Sequence, residues 1–161
     1  MVAGNGTFDG IGMMAFDDST GNLLVADTQN CKIKTINISQ YEGSGSVADY
    51  AGSGYCGNLD GPLLSARLYY PVGLAIDSLG NIFISQPSGS NIRMLDPHMG
   101  FVSTFAGNFG SPGFIDGPGT FAFFNFPSGL AMGSNDTIYV ADKLNYRIRA
   151  IGQNGLSRRG E

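Results

Sequence analysis

Side chains able to do acid–base, metal or nucleophilic chemistry are scarce in this chain. Its one histidine, His98, lies in Asp96-Pro97-His98-Met99-Gly100, a turn by its Pro, Gly and Asp content, and reads as a solvated loop residue. The glutamates are Glu42 and Glu161, and no G-x-S-x-G nucleophile elbow occurs. No catalytic residue and no cofactor are therefore expected. Cys31 and Cys56 can form at most one bridge. The sequence leaves open whether they meet, and two small buried or half-buried thiols are the expected state. Neither lies in a C-x-x-C pair, and His98 alone does not complete a zinc site of the usual spacing. The run Gly52-Ser53-Gly54-Tyr55-Cys56-Gly57 matches G-x-G-x-x-G in form. The next residues, Asn58-Leu59-Asp60-Gly61-Pro62, make a turn with no helix to aim at a pyrophosphate, so a dinucleotide site is rejected.

The charged residues that recur are more informative. Asp27 and Asp142 end apolar runs, and cations recur at Lys34, Arg93 and Arg149. Such a set could form a ligand-binding ring of charges. The preferred reading is structural: carboxylates paired with turn amides or with a cation of the same or the next repeat. Lys32 and Lys34 share one strand face, as do Arg147 and Arg149. Asp60-Gly61 and Asp116-Gly117 could offer hard oxygen ligands to calcium, but each loop carries a single carboxylate. A turn in which Asp caps amides and Gly takes positive φ is expected instead.

The elements that must position these residues emerge from composition and repetition. The chain has 161 residues, enough for one domain with a core, with 14% charged residues and 25 glycines. A net charge of -4 argues against nonspecific nucleic-acid binding and against anionic membranes. No apolar run approaches the roughly 20 residues of a spanning helix. Shifted by 56 positions, Gly54–Leu95 falls on Gly110–Ile151 without a gap and with 14 identities in 42 positions. Asp60-Gly61-Pro62 meets Asp116-Gly117-Pro118, and Gly73-Leu74-Ala75 meets Gly129-Leu130-Ala131. A third copy precedes these, with Val25-Ala26-Asp27 on Val140-Ala141-Asp142 and Asn30 on Asn145. The stretch Val2 to Gly6 echoes the end of a still earlier copy.

Each copy reads as four short strands, among them 73–77, 81–85, 91–95 and 101–105, separated by Gly, Pro, Asn and Asp turns. No window shows a helical stripe. Tandem four-strand units predict an all-β protein built of β-propeller blades. Pro71-x-Gly73-Leu-Ala-x-Asp77, Gly80-Asn-Ile-Phe-Ile and Asn91-Ile-Arg93 resemble the NHL repeat. Pro127-x-Gly129-Leu-Ala, Ile138-Tyr-Val-Ala-Asp142 and Asn145-Tyr-Arg-Ile-Arg149 resemble it more closely, and the inserted loops look like the long-loop variety of bacterial, plant and teneurin-type NHL propellers. The pattern departs at Met13, where Gly is expected, and at Gln86, which stands where Asp27 and Asp142 set the rule and suggests an altered turn.

The resemblance implies about three consecutive blades of an incomplete propeller, at 8–51, 69–106 and 125–161, with Gly-rich connectors at 52–68 and 107–124. The last residues, from Gly155 to Glu161, break the pattern, so the third blade is expected to lack its outer strand. Structural repeat positions are Gly73, Gly129, Asp27, Asp142, Asn145, Arg93, Arg149, Asp60, Gly61, Asp116 and Gly117. Propeller lyases and lactonases resembling this family hold a metal in the central channel. That comparison makes Asp17 and Asp77 weak metal candidates, with turn-capping the preferred reading for both. The implied function is a noncatalytic interaction scaffold for a protein or glycan ligand, as a piece of a longer protein. The alternative is part of a metal-dependent propeller hydrolase or lyase with its catalytic residues mostly outside this segment. Closing the ring calls for further blades or self-association. Asn5-Gly-Thr7, Asn37-Ile-Ser39 and Asn135-Asp-Thr137 have the form of glycosylation acceptors, compatible with an extracellular address without establishing one.

Overall fold

A computed structural model describes residues 8–38, 46–152 and the strand at 157–159. The Val2 to Gly6 echo, Asn5, Ser39, Glu42 and Glu161 lie outside the described residues. The first sheet is β1 (Ile11–Asp17), β2 (Asn22–Asp27), β3 (Lys32–Asn37) and β4 (Val47–Ala51), in that order. The connector contributes β5 (Gly61–Pro62), which joins the outer edge of the second sheet. That sheet continues with β6 (Leu74–Ile76), β7 (Ile82–Gln86), β8 (Asn91–Asp96) and β9 (Phe101–Ala106), β6 innermost. The third sheet is β10 (Pro127–Met132), β11 (Ile138–Asp142), β12 (Arg147–Ile151) and β13 (Ser157–Arg159). Neighbouring strands are antiparallel throughout. These are three consecutive four-stranded blades, the second carrying the extra β5.

The middle blade explains why its strands read as they do. It is covered on both faces, so β7 is buried at every position and its sequence runs apolar without polar alternation. Leu74, Ile82, Ile84, Leu95 and Val102 face the first blade, where Leu24, Ala26, Ile33 and Ala51 meet them. Ala75, Phe83, Ile92 and Ala106 face the third, against Leu130, Ile138, Val140 and Ile151. The connectors complete both interfaces. Ala66 and Leu68 enter the first core, and Ala122 and Phe124, 56 positions on, enter the second. These connector side chains are apolar because they plug a core, not because they belong to a strand.

Two expectations are corrected. The third blade does have an outer strand: β13 pairs with β12, Arg149 opposite Arg159. Main-chain hydrogen bonding there does not depend on the alternating side-chain pattern that the tail lacks. Met13 does stand where the other blades have Gly73 and Gly129, and Gly12 before it makes a close approach of its own. A Cβ on Gly12 would lie 2.9 Å from the Val72 carbonyl oxygen, and one on Gly73 would lie 2.2 Å from that of Ser128. Both glycines let an inner strand approach the next blade's backbone, and the register shift between Ile11 and Met14 recurs between Pro127 and Leu130, which keeps Met13 equivalent to Gly129 in the repeat. Cys31 and Cys56 are not free thiols but a disulfide, with Cα atoms 5.2 Å apart. It ties the β2–β3 turn of the first blade to the connector entering the second.

The bridge closes a loop with a sequence separation of 25. Chain entropy for a loop of that size corresponds to about 3 kcal/mol. Cys56→Ser is expected to lower unfolding free energy by about 2–4 kcal/mol in denaturant titrations, and added reductant should do the same to the wild-type chain only.

Candidate functional site

The recurring charges converge on two equivalent clusters, one at each blade interface. The Arg93 side chain is fully buried; its Nη2 donates to Asp60 Oδ1 at 2.7 Å and to the Leu59 carbonyl at 3.2 Å. Its Nη1 donates to the Arg67 carbonyl at 3.0 Å and to Asn58 Oδ1 at 3.1 Å. Arg149, also buried, repeats this with Asp116, the Ile115 carbonyl and the Phe123 carbonyl, each 56 positions on from its counterpart. Each guanidinium thus clamps the connector that precedes its own blade. Arg149 also pairs with buried Asp142 at 3.0 Å, and its guanidinium lies between the rings of Phe114 and Phe124. Burial pulls the Arg93 guanidinium below its ordinary value, and Asp60 opposes that shift. In the first blade Lys34 takes this place, 3.7 Å from Asp27 and 3.2 Å from Asp49. A register shift falls beside the cation in the first two blades, at Ile33/Lys34 and Ile92/Arg93, and aims it inward.

Gln86 is a neutral stand-in and not the mark of an altered turn. Asp27 accepts the Asp9 amide at 2.8 Å, Asp142 accepts that of Asn125 at 2.7 Å, and Gln86 Oε1 accepts that of Tyr69 at 2.7 Å. The 3-10 turn after it, Pro87–Gly89, matches Lys143–Asn145 in the third blade. Asn30 and Asn145 donate to Asp27 and Asp142; in the middle blade Asn58 and Asn91 complete the cluster around Gln86.

The Asp-Gly pairs also differ from expectation. Asp60 and Asp116 are the arginine acceptors; Gly61, in β5, has the expected positive φ, at 159°, whereas Gly117 does not. A buried guanidinium outcompetes local amides for these oxygens because its charge has no water to turn to. A Cβ on Gly129 would meet nothing closer than Ala141 Cβ at 3.8 Å, unlike one on its equivalent Gly73 or on Gly12.

Asp17 accepts from Ser19 and Thr20, and Asp77 from Leu79 and Asn81, each closing the turn after an inner strand. Asp136 crosses from the third blade to the Ser78 amide at 2.8 Å and its hydroxyl at 2.6 Å. Among the described residues no group of three or more His, Cys, Asp or Glu could hold a metal ion. His98 is exposed and sits 3.1 Å from the Leu79 carbonyl.

On the opposite rim, where connectors enter the inner strands, lies a cleft of about 360 Å³. All three blades line it: Thr28 and Gln29 from the first, Tyr70 and Ser88 from the second, Phe126 and Lys143 from the third. Tyr70 and Phe126 occupy equivalent positions before Pro71 and Pro127 and have φ of 47° and 59°. The first blade has Gly10 there, at 65°. All three copies require the left-handed bend, which costs a residue with a side chain roughly 1–2 kcal/mol. A residue before proline ordinarily prefers the extended region. The sequence pattern did not reveal this site. Its one signal was an aromatic before proline in both full copies.

Four-stranded antiparallel sheets, packed face to face in series with inner strands adjacent, define a segment of a β-propeller. The family model for the NHL repeat matches residues 124–151. The chain is 29% identical over 138 residues to NHL repeat-containing protein 2 of Bos taurus, an overlap of 80% of this chain and 18% of that protein. Residues 124–151 thus form an NHL repeat, and the chain is similar to NHL-repeat proteins over most of its length. A structural genomics protein of unknown function from Bacteroides thetaiotaomicron superposes with a TM-score of 0.76 at 26% identity, over 85% of this chain and 34% of that one. An auxiliary nutrient binding protein from the same organism shares the fold, with a TM-score of 0.72 at 22% identity over 86% and 36% of the two chains. The chain therefore spans under a fifth of the bovine relative and about a third of these structures.

Asp142→Ala strands a buried charge, whereas Asp116 is partly exposed and Arg149 keeps a second carboxylate without it. Denaturant titration should show a loss of about 3–5 kcal/mol for Asp142→Ala and a distinctly smaller one for Asp116→Ala. The Lys32 hydrogen bond, helped by Lys34, holds the Asp49 carboxyl below its ordinary 3.8. At Asp17 burial raises the pKa, but hydrogen bonds from Ser19 and Thr20 outweigh it and the net shift is also downward. Both contributions are complete above the unfolded value and are lost as pH falls through the lowered folded values. Thermal melts should therefore fall as pH drops below about 4, and less steeply for Asp49→Asn.

Proposed function

We propose that this chain is part of a noncatalytic NHL-propeller scaffold whose cleft-bearing rim holds a ligand or protein partner. The carrying observation is the cleft itself, to which every blade contributes, while the residues best suited to chemistry are committed elsewhere. The buried arginines and their carboxylates clamp connectors, and Asp17 and Asp77 close turns. That arrangement favours a scaffold over part of a metal-dependent hydrolase or lyase. The Cys31–Cys56 bridge supports an oxidising compartment. Among the described residues, no helix is long and apolar enough to cross a membrane.

The open space beside Gly129 and the exposure of Tyr139 and Ile148 support a further blade against the third, from the same polypeptide or a second copy. The strands of a closed propeller leave no such face uncovered.

Calorimetric titration with calcium, magnesium or zinc is expected to show no stoichiometric binding, and chelator should leave the melting temperature unchanged. Tight binding of one ion, abolished by Asp77→Asn, would replace the scaffold with the metal-dependent enzyme. Gly73→Val is expected to destabilise by at least about 1–3 kcal/mol through overpacking. Gly129→Val should be nearly silent in the three-blade segment and costly once another blade covers it.

A further inference from the structure

We propose that the cleft shared by the three blades is a subsite for a hexuronate, a sugar ring carrying a carboxylate, an inference that rests on the scaffold reading. The fold demands a left-handed residue at positions 10, 70 and 126, and Gly10 shows the inexpensive solution. Tyr70 and Phe126 stand there against the backbone's preference, and both residues line the cleft. Backbone strain retained at two equivalent positions that line one cavity marks a functional demand and not a folding one. In the first blade that place goes to a polar group. A Cβ on Gly10 would fall 2.7 Å from Gln29 Cγ, so the missing side chain is what leaves room for Gln29 at the cleft.

The polar inventory specifies the ligand further. Gln29, Ser88 and Lys143 line the cleft, and their side chains form no hydrogen bond or ion pair with other described residues. Lys143 Nζ instead rests 5.5 Å from the Phe126 ring centroid. Lys143 is the one charged side chain lining the cleft among the described residues, and no carboxylate accompanies it. Aromatic faces receive the C–H face of a sugar, an amide and a hydroxyl match its hydroxyls, and an unpaired ammonium matches a carboxylate. With a net charge of -4 the chain does not attract anions from a distance, so selectivity for the carboxylate has to arise at Lys143. The volume falls in the roughly 300–1,000 Å³ range of small-molecule sites.

The full chain would be titrated with digalacturonate and with glucuronate, galactose serving as the neutral control, by calorimetry and by NMR of the aromatic ring signals. Saturable uronate binding at least about tenfold tighter than galactose is expected, a preference of about 1.4 kcal/mol. Lys143→Gln should abolish that preference. Tyr70→Asn and Phe126→Asn, whose new side chains accept the left-handed backbone, should weaken uronate binding by about tenfold or more without lowering the melting temperature. Absence of saturable uronate binding overturns the proposal, as does binding that survives both Asn variants. An aromatic carboxylate or a protein captured at this cleft without any sugar, and released by the same variants, overturns the hexuronate assignment and leaves the scaffold intact. An Asp77-dependent metal would instead remove the scaffold reading.

Discussion

Two buried guanidinium groups organise this structure. A charge removed from water must be compensated by nearby partners, and Arg93 and Arg149 each find theirs in the connector ahead of their own blade. Main-chain carbonyls and one aspartate are drawn onto the fork. The connector, which has almost no regular structure, is thereby fixed in place. Its fixed path delivers Ala66 and Leu68, or Ala122 and Phe124, into the groove between blades. Hydrophobic burial between blades and the polar clamp therefore depend on one another: without the clamp the plug is not positioned, and without the plug the arginine is hydrated.

The first blade carries out the same task with different chemistry. Lys34 lacks the guanidinium fork, and its partners are Asp27 and Asp49 of its own sheet. There the disulfide from Cys31 to Cys56 ties the blade to the connector beyond it. The middle blade shows a second economy, since Gln86 replaces a buried carboxylate with a neutral acceptor. With only Asp60 as counter-charge, Arg93 completes its shell with carbonyls and Asn58. The two rims are correspondingly different in character. One is closed by short aspartate-capped turns, the other carries the cleft and its strained aromatics.

Much of the fold was legible because a blade is a local object. Strand, turn and strand lie within about 40 residues, and each copy repeats the same apolar and glycine pattern. Equivalent positions such as Asp27 and Asp142, or Arg93 and Arg149, could be aligned from types and spacing alone. The misreading of the tail arose because main-chain pairing made β13 from a stretch without alternation. The cleft was illegible for another reason: Gln29, Tyr70, Ser88, Phe126 and Lys143 lie far apart in sequence.

The sequence by itself determined the repeat, its all-β blades and the recurrence of the aspartates and cations, because periodic burial writes itself into periodic composition. Only the tertiary structure decided what those charges hold. It also decided that Cys31 meets Cys56, and that aromatics from two blades and polar groups from three share one cavity. These outcomes depend on how blades stack and where connectors cross. Those are long-range distances, and no single stretch of chain encodes them.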